Sequence, residues 1–279
     1  MQILHSVSDI RQCIQTWRNA GQRIAFVPTM GNLHAGHLQL VREAKHHADK
    51  VVVSIFVNPT QFGINEDFAD YPRTETADCE KLVLENCDAV FLPSVETIYV
   101  STAQTIVSVT QVSQNYCGHS RAGHFDGVAT VVCKLFNIVQ PDVALFGLKD
   151  FQQFVVIQTL VRDLHFPIEL IGVQTVREKD GLAMSSRNQY LNHSERGIAP
   201  KLYQSLQQAK NKLLDGQTIV NIEQHAIVEL TQAGFMVDYF KIARRDDLQP
   251  AVQKDAALII LVAAKLGKTR LIDNVWLDK

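Results

Sequence analysis

Ile24-Ala-Phe-Val27, then Pro28-Thr-Met-Gly-Asn-Leu-His-Ala-Gly-His37, then Leu38 to Asp49 form an apolar run, a glycine-containing turn and an amphipathic stretch. That order predicts strand, turn, helix. Two histidines, His34 and His37, sit three positions apart where the helix begins, which puts both rings on one side of its first turn. The unpaired N–H groups and the positive dipole end at that place favour an anion. Ala35 and Gly36 leave room for a ligand to reach the backbone, and the whole points to a phosphate site. The bland reading makes the histidines caps or solvated side chains.

A second element strengthens the first. Leu182-Ala-Met-Ser-Ser-Arg-Asn188 follows the apolar run Ile168–Val176. Ser185 and Ser186 can donate to phosphate oxygens, and Arg187 offers a fork of donors that matches phosphate geometry. Ser-Ser-Arg-Asn is also good turn and helix-cap chemistry.

Short apolar runs at Ile24–Val27, Val51–Val57, Ala89–Leu92, Val143–Phe146 and Ile168–Val173 alternate with helical patterns at Leu38–Asp49, Glu75–Asn86, Gly127–Val139 and Phe151–Leu164. Alternation of this kind predicts an α/β fold, a Rossmann-like parallel sheet with helices on both faces. Ligands bind at the carboxyl ends of such strands, so the turns after Val27, Val57 and Phe146 should open onto one crevice. Beyond Val176 the pattern changes. A helix from Ser194 to a stop at Gly216 carries Ile198, Leu202, Leu206, Ala209 and Leu213 on one face, and a second spans Ile222–Ala233. Strands are expected at Met236–Ile242, Ala257–Ala263 and Arg270–Leu277. This is a smaller C-terminal α+β domain, so the expected division is 1–176 for nucleotide and substrate binding and 177–279 for a part that closes over the site.

Bulk properties narrow the classes. The 279 residues carry a net charge of −2, which argues against extended nucleic-acid contact. No run approaches ~18 uninterrupted apolar residues, so no membrane span is expected. The beginning lacks a signal peptide's basic start and long apolar core. Five cysteines without a CxxC pair suit reduced thiols in a cytosol. The expected location is therefore cytoplasmic.

Other clusters supply chemistry. Asn58 and Gln61 follow the second strand and suit the hydroxyls and carboxylate of a small substrate. Gly147-Leu-Lys-Asp150 precedes Gln152 and Gln153; Gly147 permits close backbone approach, Lys149 offers a cation to a phosphate, and Asp150 either accepts from ribose hydroxyls or caps the helix. Cys117, His119 and His124 lack a fourth ligand for a structural zinc site, and Arg121 with His124 reads better as an anion contact at the crevice rim. Asp78 is a candidate magnesium contact through water. No Ser/His/Asp or Cys/His nucleophile pattern is present.

The blocks FVPTMGNLHAGH, IFVNPTQFG, DYPRT, RAGHFDGVATVV, ALFGLKDFQQ and LAMSSRN, in this order and spacing, closely resemble the pantoate–β-alanine ligase family across most of residues 24–190. The resemblance implies a nucleotidyltransferase fold in which His34–His37 stands for the HIGH signature and Met184–Arg187 for the KMSKS loop. It implies ligation of pantoate to β-alanine with ATP and Mg²⁺ through a pantoyl-adenylate, with release of pyrophosphate and AMP, in a cytoplasmic homodimer. Carried over by position, Met30, Gly31, Asn32, Leu33, His34, Ala35, Gly36, His37, Gly147, Leu148, Lys149, Asp150, Val176, Met184, Ser185, Ser186 and Arg187 line the ATP site. Gln61 and Gln153 hold pantoate, and Gln61 also lies near β-alanine. His37 takes the proton-donor role, with His34 and Lys149 as its catalytic companions. The chain departs from the family at Asn32, Ala35 and Ala77; the last, acidic in some relatives, leaves the protein ligand of Mg²⁺ unassigned. A transferase that stops at the nucleotide-coupled product and a tRNA-binding synthetase relative are the competing readings. The amide-rich loop and the length of the C-terminal part favour the ligase.

Overall fold

The computed structural model describes residues 1–63 and 66–278; Lys279, the last residue of the expected second domain, lies outside them. The apolar runs become strands because burial on both faces rewards every residue of a run. Residues Ile24, Ala25, Phe26 and Val27 are all fully buried, and alternate ones serve opposite sides: Ile24 and Phe26 pack into one core layer, Ala25 and Val27 into another. Strands β1 (Gln2–Leu4), β2 (Ile24–Thr29), β3 (Lys50–Ile55), β4 (Ala89–Phe91), β5 (Val143–Gly147) and β6 (Glu169–Val173) form one sheet in the order β1-β4-β3-β2-β5-β6. Every pairing in it is parallel. Strand order runs outward from β2 in both directions, so β2 and β5, paired at Ala25↔Val143, flank the switch point where such sheets bind ligands.

The second sheet is antiparallel, β7 (Met236–Arg244), β8 (Ala257–Leu266) and β9 (Thr269–Asp278), in that order. Leu258, Ile260 and Val262 face a core shared with helices Lys201–Leu214 and Ile219–Gln232. Ile259 and Leu261 face the other way and pack with Leu148, Phe151 and Val155 of the parallel-sheet half. The two halves thus share an apolar core beside the crevice.

Several expected bounds move, each for a local reason. The helix expected over Leu38–Asp49 is Ala35–Ala44, because His34 caps it and the chain turns at Lys45. The helix expected from Ser194 is two helices, His193–Ile198 and Lys201–Leu214. Pro200 divides them, having no N–H to continue the ladder. Asn192, not Ser194, starts the first: its side chain accepts from the Glu195 N–H at 2.9 Å, and Glu195 accepts from the Asn192 N–H at 2.9 Å, a reciprocal capping box. The opening residues, left unassigned by the sequence, hold β1 and a helix, Val7–Asn19, with Ile10, Cys13, Ile14 and Trp17 buried.

Candidate active site

The turn after β2 is built around a carboxylate. Gly31 and Asn32 both adopt left-handed backbone (φ 83° and 49°), a conformation that glycine takes freely and asparagine tolerates. A Cβ at Gly31 would meet Ile55 at 2.8 Å. The turn aims the Asn32 and Leu33 N–H groups at Asp78, which accepts them at 2.7 and 2.8 Å. Thr74 Oγ1 donates to the same carboxylate at 3.0 Å, and Lys81 Nζ stands 3.4 Å away. Asp78 is fully buried and each of its oxygens is engaged. The magnesium contact considered for it is therefore corrected: this carboxylate holds the turn, with neither oxygen turned to the crevice.

The two histidines form a cap. His34 Nδ1 accepts the Gly36 N–H at 3.1 Å, and His37 Nδ1 accepts the His34 N–H at 3.3 Å. A backbone N–H only donates, so both Nδ1 atoms are unprotonated and each neutral ring carries its hydrogen on Nε2. Gly36 permits this, because a Cβ there would lie 2.9 Å from the His34 ring. The ring centroids are 4.1 Å apart. Burial, then Lys149, lowers His34 to about 4; burial, then His34 and Lys149, lowers His37 to about 3. Both are neutral N–H donors at physiological pH.

Opposite them, the turn Leu148–Asp150 follows β5. Lys149 Nζ pairs with Asp150 Oδ2 at 3.0 Å. Enclosure works against charge on Asp150, but Lys149 outweighs it and holds the carboxyl below its usual range. Asp150 makes no helix-capping hydrogen bond. The Ser185–Arg187 segment crosses over this gap. Its Ser186 Oγ donates to the Asn32 carbonyl at 3.2 Å, and Met184 N donates to Val176 O at 3.0 Å. Ser185 caps a short 3₁₀ turn, Ser186–Tyr190. Arg187 forks onto Asp67, Nε to Oδ2 at 3.0 Å and Nη2 to Oδ1 at 2.8 Å, with its guanidinium 5.7 Å from the Tyr71 ring centre.

Amides line the third side. Gln61 Nε2 donates to Met30 Sδ at 3.0 Å, and Gln61 Oε1 accepts from Asn58 Nδ2 at 3.1 Å. Asn58 is 1% exposed; its Oδ1 accepts from Tyr99 OH at 2.7 Å, and its amide also donates to Gly127 O at 3.1 Å. A Cβ at Gly127 would lie 2.3 Å from Thr60 O, so glycine is what lets helix His124–Val139 sit against this loop. Gln152 turns away, bonded to Val112 O, Asn115 O and the Cys117 N–H, while Gln153 faces the cavity.

The structure brings together Met30, His34, His37, Gln61, Lys149, Asp150, Gln153, Ser185, Ser186 and Arg187 around a cavity of about 180 Å³. It opens on a cleft of about 780 Å³ walled by the antiparallel sheet on its far side. Leu33 and Leu148 bury their side chains in core layers, so only their backbone is offered to a ligand. Sequence reading passed over three neighbours of the cavity. Asp67 pairs Arg187 across 120 positions of chain, which no local pattern announces. Tyr71 lines the cavity wall; its block DYPRT was the available signal. Tyr99 orients Asn58 and had none.

Arg121 lines the outer cleft, where an anion contact was expected of it together with His124, but both side chains are already engaged within the protein. Arg121 Nε donates to Glu66 at 2.6 Å, and His124 Nδ1 donates to Gln61 O at 2.8 Å while Nε2 accepts from Arg121. They brace the Gln61 loop. Cys117 Sγ contacts Tyr239 OH at 3.0 Å, whereas His119 is exposed. Among the described residues no three His, Cys, Asp or Glu side chains cluster as a metal site, and Asp150 is the one acidic residue lining the inner cavity. That donor set fits an Mg²⁺ carried in on nucleotide phosphates, which takes one or two carboxylates and keeps waters.

A parallel sheet with histidine N–H donors after β2 and a lysine after β5 defines a nucleotide-handling enzyme of the nucleotidyltransferase fold. The family model for pantoate-beta-alanine ligase matches residues 2–276. The pantothenate synthetases of Colwellia psychrerythraea and Alcanivorax borkumensis are 50% and 53% identical, with 100% and 99% of this chain and 99% and 98% of theirs covered. The crystal structure of pantothenate synthetase from Thermus thermophilus superposes with a TM-score of 0.93 at 41% identity, covering 99% of each chain. The Francisella tularensis pantoate-beta-alanine ligase, complexed with beta-gamma ATP and beta-alanine, has a TM-score of 0.82 at 33% identity, covering 99% of this chain and 97% of that one. The chain belongs to the pantoate–β-alanine ligase family. It is an enzyme, a carbon–nitrogen ligase that joins pantoate to β-alanine with ATP.

Proposed function

We propose that the cavity carries out this ligation in two steps, with the residues around it in the following roles. A pantoate carboxylate oxygen attacks the α-phosphorus of ATP, the bond to the bridging oxygen breaks, and pyrophosphate leaves. The β-alanine amine then attacks the carbonyl carbon of the pantoyl-adenylate, loses its proton, and displaces AMP. The observation that carries the reading is the pair of Nε2–H donors and the Lys149 cation at the carboxyl ends of β2 and β5. The first step needs alignment and charge neutralisation rather than a base, and those groups provide both.

His34 and His37 act as fixed neutral donors to phosphate oxygens. Both Nδ1 lone pairs are committed to backbone N–H groups, so neither ring serves as a base; and a ring at about 3 serves as a hydrogen-bond donor in preference to the proton-donor role that the resemblance implies for His37. Lys149 neutralises charge as it builds on the α-phosphate. The backbone from Met30 to His37, Val176 and the Met184–Arg187 segment enclose the nucleotide. Gln61 and Gln153 bind pantoate, and Gln61 also meets β-alanine. Asp150, which lines the inner cavity, would hold an Mg²⁺ carried by ATP, and the ion would supply neutralisation of phosphate charge. Residues 177–279 form the part that closes over the site. A cytoplasmic homodimer is the assembly that family resemblance supports. In the described residues no helix is long and apolar enough to cross a membrane.

The test is exchange of labelled pyrophosphate into ATP with pantoate present and β-alanine absent. Exchange is expected; exchange only when β-alanine is added would replace the two-step route with a concerted one.

A further inference from the structure

Lys149 is held from the far side of the molecule. Its turn, Leu148–Asp150, begins at Gly147 without a side-chain cap, yet two of its carbonyls are engaged. Asn274 on β9 donates through Nδ2 to Leu148 O at 2.8 Å and to Lys149 O at 2.9 Å. Both partners only accept, so the amide nitrogen must face them, and both of its hydrogens are used. Asn274 is 3% exposed, and among the described residues its Oδ1 has no partner. Its side chain therefore makes those two bonds and no others: it is spent on the turn.

Asn274 is itself fixed. Its N–H donates to the Asp273 carboxylate at 2.8 Å, and Asp273 receives a fork from Arg177, Nη1 at 2.6 Å and Nη2 at 2.9 Å. Arg177 lies beyond β6 on the segment leading to Ser185–Arg187. It also donates to Gly181 O at 3.1 Å and stacks 3.6 Å from the Tyr203 ring centre. One buried cluster thus grips the lysine turn on one side and the root of the serine–arginine loop on the other.

We propose that Asn274 is a positioning residue for the adenylation step: it sets the backbone of the Leu148–Asp150 turn so that Lys149 points at the α-phosphate, and Asp273 with Arg177 holds Asn274 in register. The proposal rests on the role given to Lys149 above. A small change in the aim of a fixed cation lowers the rate far more than it lowers ground-state binding.

A double-mutant cycle under single-turnover conditions tests it. Lys149→Ala should slow adenylation by roughly 10²–10³-fold. Asn274→Ala should slow it by about 10–100-fold, with the ATP requirement changed by less than about threefold. Asn274→Ser, which keeps one donor, should fall between Asn274→Ala and the native enzyme. The double variant should be no more than about threefold slower than Lys149→Ala alone, because Asn274 acts through the lysine. Near-native adenylation in Lys149→Ala would remove the reading on which the proposal stands. A slow Lys149→Ala with losses that multiply in the double variant, or with Asn274→Ala at the native rate, would overturn the proposal and leave the lysine role intact. Loss of fold in both Asn274 variants, by circular dichroism, would assign Asn274 to the core alone and overturn it equally.

Discussion

Each site histidine is defined by which of its two nitrogens is already used. With Nδ1 bound to backbone N–H on both rings and acid strengths displaced to about 4 and about 3, neither ionises between pH 6 and 8. Single-turnover adenylation should therefore show no histidine-like inflection in that range. His34→Ala and His37→Ala should each slow adenylation by ~10²-fold or more, as removal of a preorganised donor does. A rate rising on acidification through pH 6.5 would mean that imidazolium is the active form and would sink the neutral-donor reading. The sequence placed these two residues correctly, since three-residue spacing at a helix start is a local signal. Their tautomer was not legible, because it depends on backbone geometry that no residue letter carries.

At the scale of elements, the strand–turn–helix around residues 24–44 is the best-read part of the chain. Apolar run, glycine and amphipathic stretch all lie within one short span and agree. Helix Val7–Asn19 went unread although Ile10, Cys13, Ile14 and Trp17 carry a helical apolar period that the sequence displays. The break at Pro200 was equally visible and was overridden by the apolar face running through it. Asp78 shows the opposite case: its acidic side chain suggested a metal, while its partners Asn32 and Leu33 lie more than forty positions away. Asp78→Ala would strand two backbone N–H groups and the Thr74 hydroxyl beside a buried void, while Lys81 keeps its bond to Leu33 O. Its urea midpoint should fall by the equivalent of roughly 2–5 kcal/mol, since each stranded buried donor costs about 1–3 kcal/mol, with an unchanged Mg²⁺ requirement in the folded fraction. A shifted Mg²⁺ requirement with native stability would restore the metal role.

At the scale of the whole molecule, burial makes His34, His37 and His124 resist protonation when folded. His124 falls to about 4 through burial and then the adjacent Arg121. Unfolded, each takes up a proton near 6.5. The unfolded chain therefore binds more protons as pH falls below that value, and stability must decline from about pH 6.5 toward 4. Glu66, where pairing with Arg121 overcomes burial and holds the carboxyl at about 2, adds a loss of the same sign further down. Urea unfolding at pH 7, 6 and 5 should show the midpoint dropping stepwise, and His124→Gln should flatten that slope by about one proton. Equal midpoints at pH 7 and 5 would contradict it. At this scale the class of each half was legible from its pattern of runs. The way the halves share a core, through Ile259, Leu261 and Trp276 against Phe151 and Val155, was not, because both faces of β8 are equally apolar in the sequence.

The span between Lys149 and Asn274 also sets an order in time. The two residues are separated by 125 positions, and synthesis adds roughly 5–20 residues per second. For about 6–25 seconds after Lys149 is translated, a nascent chain can carry the histidine cap and the first five parallel strands while the strand that steadies the lysine turn does not yet exist. Once Met184–Arg187 has followed, a growing chain carries the residues that enclose the nucleotide but still lacks the strand that aims Lys149. The order of translation thus leaves an unfinished molecule without the contact that sets the mature adenylation rate.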